Sequence, residues 1–245
     1  MLVPAIALIR STEMAVWTSW RMFGGGPVDQ PVPHTLEPQE AYARWAGTYP
    51  SRPHNRLMEL EQAAVLELLP DVRSLTVLDA GCGTGRYLRL CLDRGANVVG
   101  LDLSAPMLLS ARDISPRVVC GGLAEIPLKS GSVDVVVCAL ALGDLEHLSA
   151  AIGELARVLR PGGTLLYSVV NPDGALHGWS RSFEVGGQLC AVKTFWHSRD
   201  DHRRACAAGG LEIEAWQEPS LEEKPDLPVA LVVRARLAGA TRVVR

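Results

Sequence analysis

The spacing of apolar residues changes repeatedly along the chain, and each change marks the passage to a new element. Between residues 55 and 69, Leu57, Leu60, Ala64, Val65 and Leu68 recur at steps that gather them on one face of a helix, which Pro70 stops. A shorter helical pattern over residues 41–47 precedes it. Extended and helical patterns then alternate: extended over 76–79, helical over 85–94, extended over 97–102, helical over 105–113, extended over 117–120. Residues 133–139 are almost continuously apolar, as in a strand buried on both faces of a parallel sheet. A helix over 148–159 and a strand over 164–170 complete the alternation.

After Asn171 the rhythm breaks into a polar and aromatic stretch up to residue 196, followed by a helix over 199–208 and strands over 211–216 and 229–236. The last two strands are separated by a short segment carrying Pro219, Pro225 and Pro228, which suits antiparallel pairing better than a crossover helix. The pattern predicts an α/β chain: a doubly wound, Rossmann-like, seven-stranded, mostly parallel sheet with an antiparallel last strand and an N-terminal helical cap. Ligands of such sheets bind at the carboxyl ends of the strands.

Composition narrows the possibilities. With 48% hydrophobic and 21% charged residues, the chain can bury a core. A net charge of -3 with scattered Lys and Arg offers no field for a phosphate backbone, so no nucleic acid partner is expected. Six cysteines without C-x-x-C spacing read as reduced thiols in a cytoplasmic protein that holds no metal. The apolar stretch over residues 2–9 contains Pro4 and is far shorter than the ~20 residues that span a bilayer, so neither a signal peptide nor a membrane helix is expected.

The segment Val77-Leu78-Asp79-Ala80-Gly81-Cys82-Gly83-Thr84-Gly85-Arg86 places three glycines at alternate positions between a strand and a helix. Such a loop turns sharply, lets a ligand lie against the backbone and leads into the free N–H groups of a helix. The dinucleotide fingerprint is G-x-G-x-x-G; this loop reads G-x-G-x-G, with Asp79 two residues before the first glycine. A carboxylate there repels a pyrophosphate and suits a ligand carrying an ammonium and a sulfonium. Val98-Val99-Gly100-Leu101-Asp102 ends a second strand in an acid that two ribose hydroxyls could share, as in NAD enzymes too.

Four segments in order resemble the class I S-adenosylmethionine-dependent methyltransferases, particularly the small-molecule group related to ubiquinone- and biotin-pathway enzymes. They are the glycine loop, then Gly100-Leu101-Asp102-Leu103-Ser104 with Met107-Leu108, then Ile126-Pro127-Leu128 before Ser132-Val133-Asp134-Val135-Val136, and finally Glu154 through Leu165 with its Arg160-Pro161-Gly162-Gly163 turn. The resemblance implies that Asp79, Gly81 and Gly83 flank the methionine part of S-adenosylmethionine, with Cys82, Gly85 and Ala139 alongside. It assigns Asp102 to the ribose and Leu103 and Met107 to the adenine. An Asp that often contacts the adenine amino group aligns with Gly122 here, which leaves that contact to the backbone of Leu123 and Ala124, or to Glu125. The implied boundaries are a flexible arm over 1–37 and one methyltransferase domain over 38–245. Within it lie a cap (38–70), a cofactor-binding core (74–170), a substrate-side insertion (171–197) and a C-terminal helix and strand pair (198–245). The arm is marked by Gly24, Gly25, Gly26, Pro27, Pro31 and Pro33, a run that resists helix and strand alike.

The resemblance implies methyl transfer to a small-molecule acceptor by a monomer or homodimer without a membrane. O-methylation of a carboxylate or hydroxyl leads, with N- or C-methylation as the alternative. An oxidoreductase and a catalytically silent S-adenosylmethionine-binding regulator are the other classes. A hydroxyl or amine acceptor needs a base, whereas a carboxylate does not. Base candidates are Tyr42, Tyr49, His54, Asp144, His147, His177 and His197, led by Tyr49, His54 and Asp144, each with a structural role as its competing reading. Tyr42, Trp45 and Tyr49 share a helical face that either packs or lids the site. Trp179, Phe183, Phe195 and Trp196 either wall an acceptor pocket or pack the core.

Overall fold

The computed structural model describes residues 32–239. Most of the expected arm, together with the apolar stretch near the N-terminus, lies outside these residues. In chain order the elements are β1 (His34–Leu36), α1 (Pro38–Trp45), α2 (Arg56–Leu68), β2 (Thr76–Ala80), α3 (Arg86–Leu92), β3 (Asn97–Asp102), α4 (Ala105–Arg112) and β4 (Val118–Cys120). They continue with β5 (Val133–Ala139), α5 (Leu148–Val158), β6 (Leu159–Val170), β7 (Arg181–Val185), β8 (Gln188–Val192) and α6 (Arg199–Ala208). The last are β9 (Leu211–Gln217), β10 (Ser220–Leu221), β11 (Lys224–Pro228) and β12 (Ala230–Leu237).

The main sheet has seven strands in the order β4-β3-β2-β5-β6-β12-β9. The pairs from β4 through β6 are parallel, and β12 runs antiparallel to both neighbours. Alternate residues serve opposite faces, the period of a strand. Val77, Val98, Val135 and Val137 join the core with α2, α3 and α4, while Leu78, Leu101, Val136 and Cys138 join the core with α5 and α6. Helix starts follow local chemistry: Asn55 Oδ1 accepts from Met58 N at 2.9 Å before α2, and Ser198 with Asp201 closes a capping box before α6.

The Glu154 to Leu165 motif is structural here. Arg157 donates to Glu154 and to the carbonyls of Ile126 and Leu128 at 2.8 and 2.9 Å, and Arg160 pairs with Asp134. These contacts clip the loop before β5 to the end of α5.

Two stretches expected to lack regular structure have it. Residues 34–36 form β1, which pairs in parallel with β8, so the arm expected over 1–37 does not extend through its last residues. The insertion over 171–197 contains the antiparallel hairpin β7–β8, where Gly186 and Gly187, at φ +58° and +74°, make the two-residue turn. Positive φ at both central positions matches the twist of the flanking strands, and glycine adopts it without penalty. The resulting sheet β1-β8-β7 packs on α1, with the Trp45 and Phe183 rings stacked 4.5 Å apart. Cap and insertion therefore form one body beside the strand ends. No helix among the described residues is long and apolar enough to cross a membrane.

Leu155 is fully buried on α5, whereas Leu109 on α4 is 64% exposed. Leu155→Ala is expected to cost about 2–5 kcal/mol in urea unfolding, from lost transfer energy and the cavity left behind. Leu109→Ala is expected to stay within about 0.5 kcal/mol of the parent.

Candidate active site

A cavity of about 340 Å³ opens at the carboxyl ends of β2, β3 and β5 and is closed on its far side by α1 and the start of β7. Ten of the eleven residues expected to hold a cofactor line it: Asp79, Gly81, Cys82, Gly83, Asp102, Leu103, Met107, Leu123, Ala124 and Ala139. The eleventh, Gly85, does not. A Cβ at Gly85 would lie 2.6 Å from Ile114 Cδ1, so this glycine lets α3 sit close to the chain after α4 and serves packing.

The glycine loop is tied to the neighbouring strand. Gly81 N and Cys82 N both donate to Leu101 O, at 2.7 and 2.9 Å. Gly81 has φ +74°, and a Cβ there would meet Ala141 Cβ at 2.6 Å, so the loop after β2 presses against the loop after β5. Asp102 is fixed from both sides: its Oδ2 accepts from Gly83 N and its Oδ1 from Ser104 N, each at 2.8 Å. Burial raises the Asp102 carboxyl, and these backbone donors oppose the rise.

Asp79 is 1% exposed, and its Oδ2 has no hydrogen-bond partner among the described residues. Burial pushes its carboxyl up to about 7. A sealed carboxylate oxygen facing a cavity is costly unless a ligand supplies a donor. The ammonium of an amino-acid ligand supplies one, and a phosphate does not. The lining thus has the chemistry S-adenosylmethionine requires: a buried acid without a donor, Asp79, a second acid on the adjacent strand, Asp102, and apolar surface from Leu103, Met107 and Leu123.

The other half of the cavity is built from residues far apart in sequence. Tyr42 Oη donates to Asp144 Oδ2 at 2.8 Å, and Arg181 donates both to Asp144 Oδ1 and to Tyr42 Oη. The Arg181 and Asp144 side chains are only 8% and 12% exposed. Leu140, at the end of β5, holds φ +56°, with its N–H on Ser168 and its carbonyl 3.5 Å from Arg181 Nη1.

This geometry sorts the base candidates. Tyr49 and Asp144 line the cavity; His54 does not, and its ring stands edge-on against Trp45 and Tyr49 instead. Burial raises the Tyr49 hydroxyl, so it keeps its proton at neutral pH. Asp144 is committed to Arg181 and Tyr42. His147, His177 and His197 also lie off the lining, His197 with its Nε2 2.7 Å from Leu145 O. The aromatic predictions divide: Tyr42 and Tyr49 face the cavity while Trp45 packs the core. Trp179 and Phe183 belong to core clusters, and Phe195 and Trp196 border a separate cavity of about 20 Å³.

Arg181 is one of the site residues that sequence reasoning missed, as it did Arg86, Tyr87 and Leu140. Its signal lay in the Gly186-Gly187 pair with alternating residues on either side, which marks a hairpin and hence an ordered position for the residue that starts it. Arg86 and Tyr87, which also line the cavity, follow directly from the glycine loop.

Residues 78–167 match the family described as a methyltransferase domain. Fold, cavity and domain match together define a chain of the class I S-adenosylmethionine-dependent methyltransferase type. Its similarity is specific at the sequence level: it is 37% identical over 150 residues to the malonyl-[acyl-carrier protein] O-methyltransferase of Pectobacterium atrosepticum. That match covers 59% of this chain and 57% of the relative, so the chain spans little more than half of that relative's length. Among solved structures, an S-adenosylmethionine-dependent methyltransferase from Mesorhizobium loti superposes with a TM-score of 0.60 at 25% identity. It covers 72% of this chain and 97% of its own. The [4+2]-cyclase SpnF superposes with a TM-score of 0.61 at 18% identity, over 86% of this chain and 98% of its own, a likeness of fold alone.

Gly81→Ala is expected to lower stability by more than about 1 kcal/mol, since it adds both a clash and a left-handed non-glycine residue. Gly122→Ala, with nothing within 4 Å of its added Cβ, is expected to stay within about 0.5 kcal/mol in the same unfolding measurement.

Proposed function

We propose that this protein transfers the methyl group of S-adenosylmethionine to the carboxylate of a small acyl acceptor, giving a methyl ester and S-adenosylhomocysteine. The observation that carries the reading is the acceptor half of the cavity: it holds a buried guanidinium, Arg181, and no uncommitted base among its described lining. A carboxylate acceptor needs a cation to hold it and no group to deprotonate it, whereas a hydroxyl or amine acceptor needs a base. The name of the Pectobacterium relative, a malonyl-[acyl-carrier protein] O-methyltransferase, supports a carboxylate on an acyl group.

When bound, the cofactor supplies an electrophilic methyl group on a sulfonium. Asp79 would accept from its ammonium and Asp102 from its ribose hydroxyls. Arg181 holds the acceptor carboxylate while Tyr42 and Asp144 fix the guanidinium in place. Holding two reactants at about 3–3.5 Å in line accounts for roughly 7–11 kcal/mol of the barrier in favourable cases. The carboxylate oxygen forms the new bond to carbon, the sulfur keeps the electron pair of the bond that breaks, and no proton moves. We place the reaction in a reducing cytoplasm, on a monomer or homodimer without nucleic acid. Support comes from the six free cysteines and the net charge of -3.

Calorimetry with S-adenosylmethionine, S-adenosylhomocysteine and NAD tests the cofactor, and a radiolabelled methyl assay on a malonyl thioester tests the acceptor. Binding of NAD alone, or no ester formed, refutes the respective half. Asp102→Ala is expected to weaken S-adenosylmethionine binding by roughly 10- to 150-fold, about 1.5–3 kcal/mol for a lost charged acceptor.

Asp79 makes binding pH-dependent. Below about 7 the unliganded protein holds a proton on this group, which the cofactor ammonium must expel. Affinity is therefore expected to rise about tenfold per unit as pH climbs toward 7 and to level off above it. Asp79→Asn abolishes the slope. The folded value lies above the unfolded one, so this group's contribution to stability is full below the unfolded value and lost as pH rises through about 7. In thermal melts at pH 8 without ligand, Asp79→Asn is accordingly expected to melt higher than the parent. Arg181→Lys is expected to raise the acceptor KM by roughly 10- to 100-fold and leave cofactor affinity within twofold, because an ammonium cannot serve the acceptor, Asp144 and Tyr42 together.

A further inference from the structure

Glu61 sits on α2 at 0% exposure, on the helix face that packs toward the sheet. A leucine there would avoid the cost of desolvating a charge, several kcal/mol per ion. The carboxylate is instead met by donors from two separate parts of the site. Its Oε2 accepts from Arg86 Nη1 at 2.8 Å, and its Oε1 accepts from Tyr87 Oη at 3.0 Å and Ser168 Oγ at 2.6 Å. Arg86 and Tyr87 form the first turn of α3, directly after the glycine loop, and both line the cavity. Ser168 lies on β6, beside the end of β5.

The Ser168 hydroxyl has a single proton. Because Glu61 accepts it, a lone pair is left facing Leu140 N, which donates to Ser168 Oγ at 3.1 Å as well as to Ser168 O at 2.9 Å. Leu140 is the residue held in the left-handed region at φ +56°, a conformation that L side chains keep only when their surroundings impose it. Its carbonyl meets Arg181. A connected set of hydrogen bonds thus runs from the helix after the cofactor loop, through Glu61 and Ser168, to the loop that carries Asp144.

We infer that Glu61 is a positioning residue: by fixing the polarity of Ser168 it holds the 140–144 loop in the acceptor-binding conformation while it holds Arg86 and Tyr87 at the cofactor loop. The acceptor part of this role rests on the proposed carboxylate methylation. An amide cannot replace the acid. With its oxygen toward Tyr87 and Ser168, a glutamine turns its NH₂ onto the Arg86 guanidinium; flipped, it offers donors to Ser168 and Tyr87 and reverses the serine.

The test compares full-length Glu61→Gln, Ser168→Ala and Ser168→Thr with the parent, reading amide exchange of residues 140–144 by mass spectrometry and S-adenosylhomocysteine affinity by calorimetry. Acceptor KM and kcat are read on the malonyl thioester. Ser168→Ala is expected to speed exchange of 140–144 about tenfold and raise acceptor KM about tenfold, with S-adenosylhomocysteine affinity within twofold. Ser168→Thr restores both. Glu61→Gln is expected to speed the same exchange and to weaken S-adenosylhomocysteine binding at least fivefold. Unchanged exchange of 140–144 in both Glu61→Gln and Ser168→Ala, with only the melting temperature lowered, overturns the inference. If the parent protein makes no ester from the thioester, the proposed reaction fails, while the exchange and affinity measurements still decide the role of Glu61.

Discussion

β2 and β5 pair in parallel, Val77 against Val135 and Asp79 against Val137, yet the chain leaves them in opposite directions. From β2 it proceeds to β3 and β4 on one side of the sheet, and from β5 to β6 on the other. The two loops that follow these strands must therefore part, and a crevice opens above the pair. That divergence places two facing walls of the cavity. The loop after β2 supplies the glycine turn, the loop after β5 supplies Leu140 and Asp144, and the close approach of Gly81 to Ala141 sets how far apart they stand.

The electrostatic character of the crevice follows from which strand ends meet there. Asp79 and Asp102 end adjacent strands, and Asp144 follows a third. Arg86 and Arg181 are the cations among the described lining residues, each already held by a buried acid, Glu61 or Asp144. The surplus of carboxylates falls on the side of β2 and β3. A pyrophosphate there would face uncompensated repulsion, whereas a ligand with an ammonium and a sulfonium relieves it. The Arg181 guanidinium stands on the opposite side, paired with Asp144.

Most of this frame was legible in the residues because it depends on local rules. Continuous apolar strands, alternating helices and the G-x-G-x-G turn fix the sheet and one wall of the cavity, and the family resemblance adds the cofactor positions, ten of which line the cavity. Gly85 was misassigned because a glycine that admits a neighbouring helix reads the same as one that admits a ligand. His54 and Asp144 looked alike as free polar groups, yet only the tertiary fold determines that one stands edge-on against two aromatic rings and the other meets an arginine 37 residues later. Arg181 sits in a stretch whose hairpin signal, Gly186-Gly187, was present and outweighed by the polar residues around it. Leu140 carries no signal at all, since its left-handed backbone is imposed by Ser168 and by the packing of the loop.

The position of β12 bears on how such a chain is made. It lies between β6 and β9, both of which precede it, and supplies the hydrogen bonds on one side of each. While the polypeptide emerges from the ribosome, β6 therefore waits with an open edge of buried-type residues, Leu165, Leu166 and Tyr167 among them, until residues 230–237 arrive. Unpaired apolar edges recruit other chains. Between synthesis of β6 and of β12 this edge is thus open to other chains, an exposure set by strand order rather than by the stability of the finished fold.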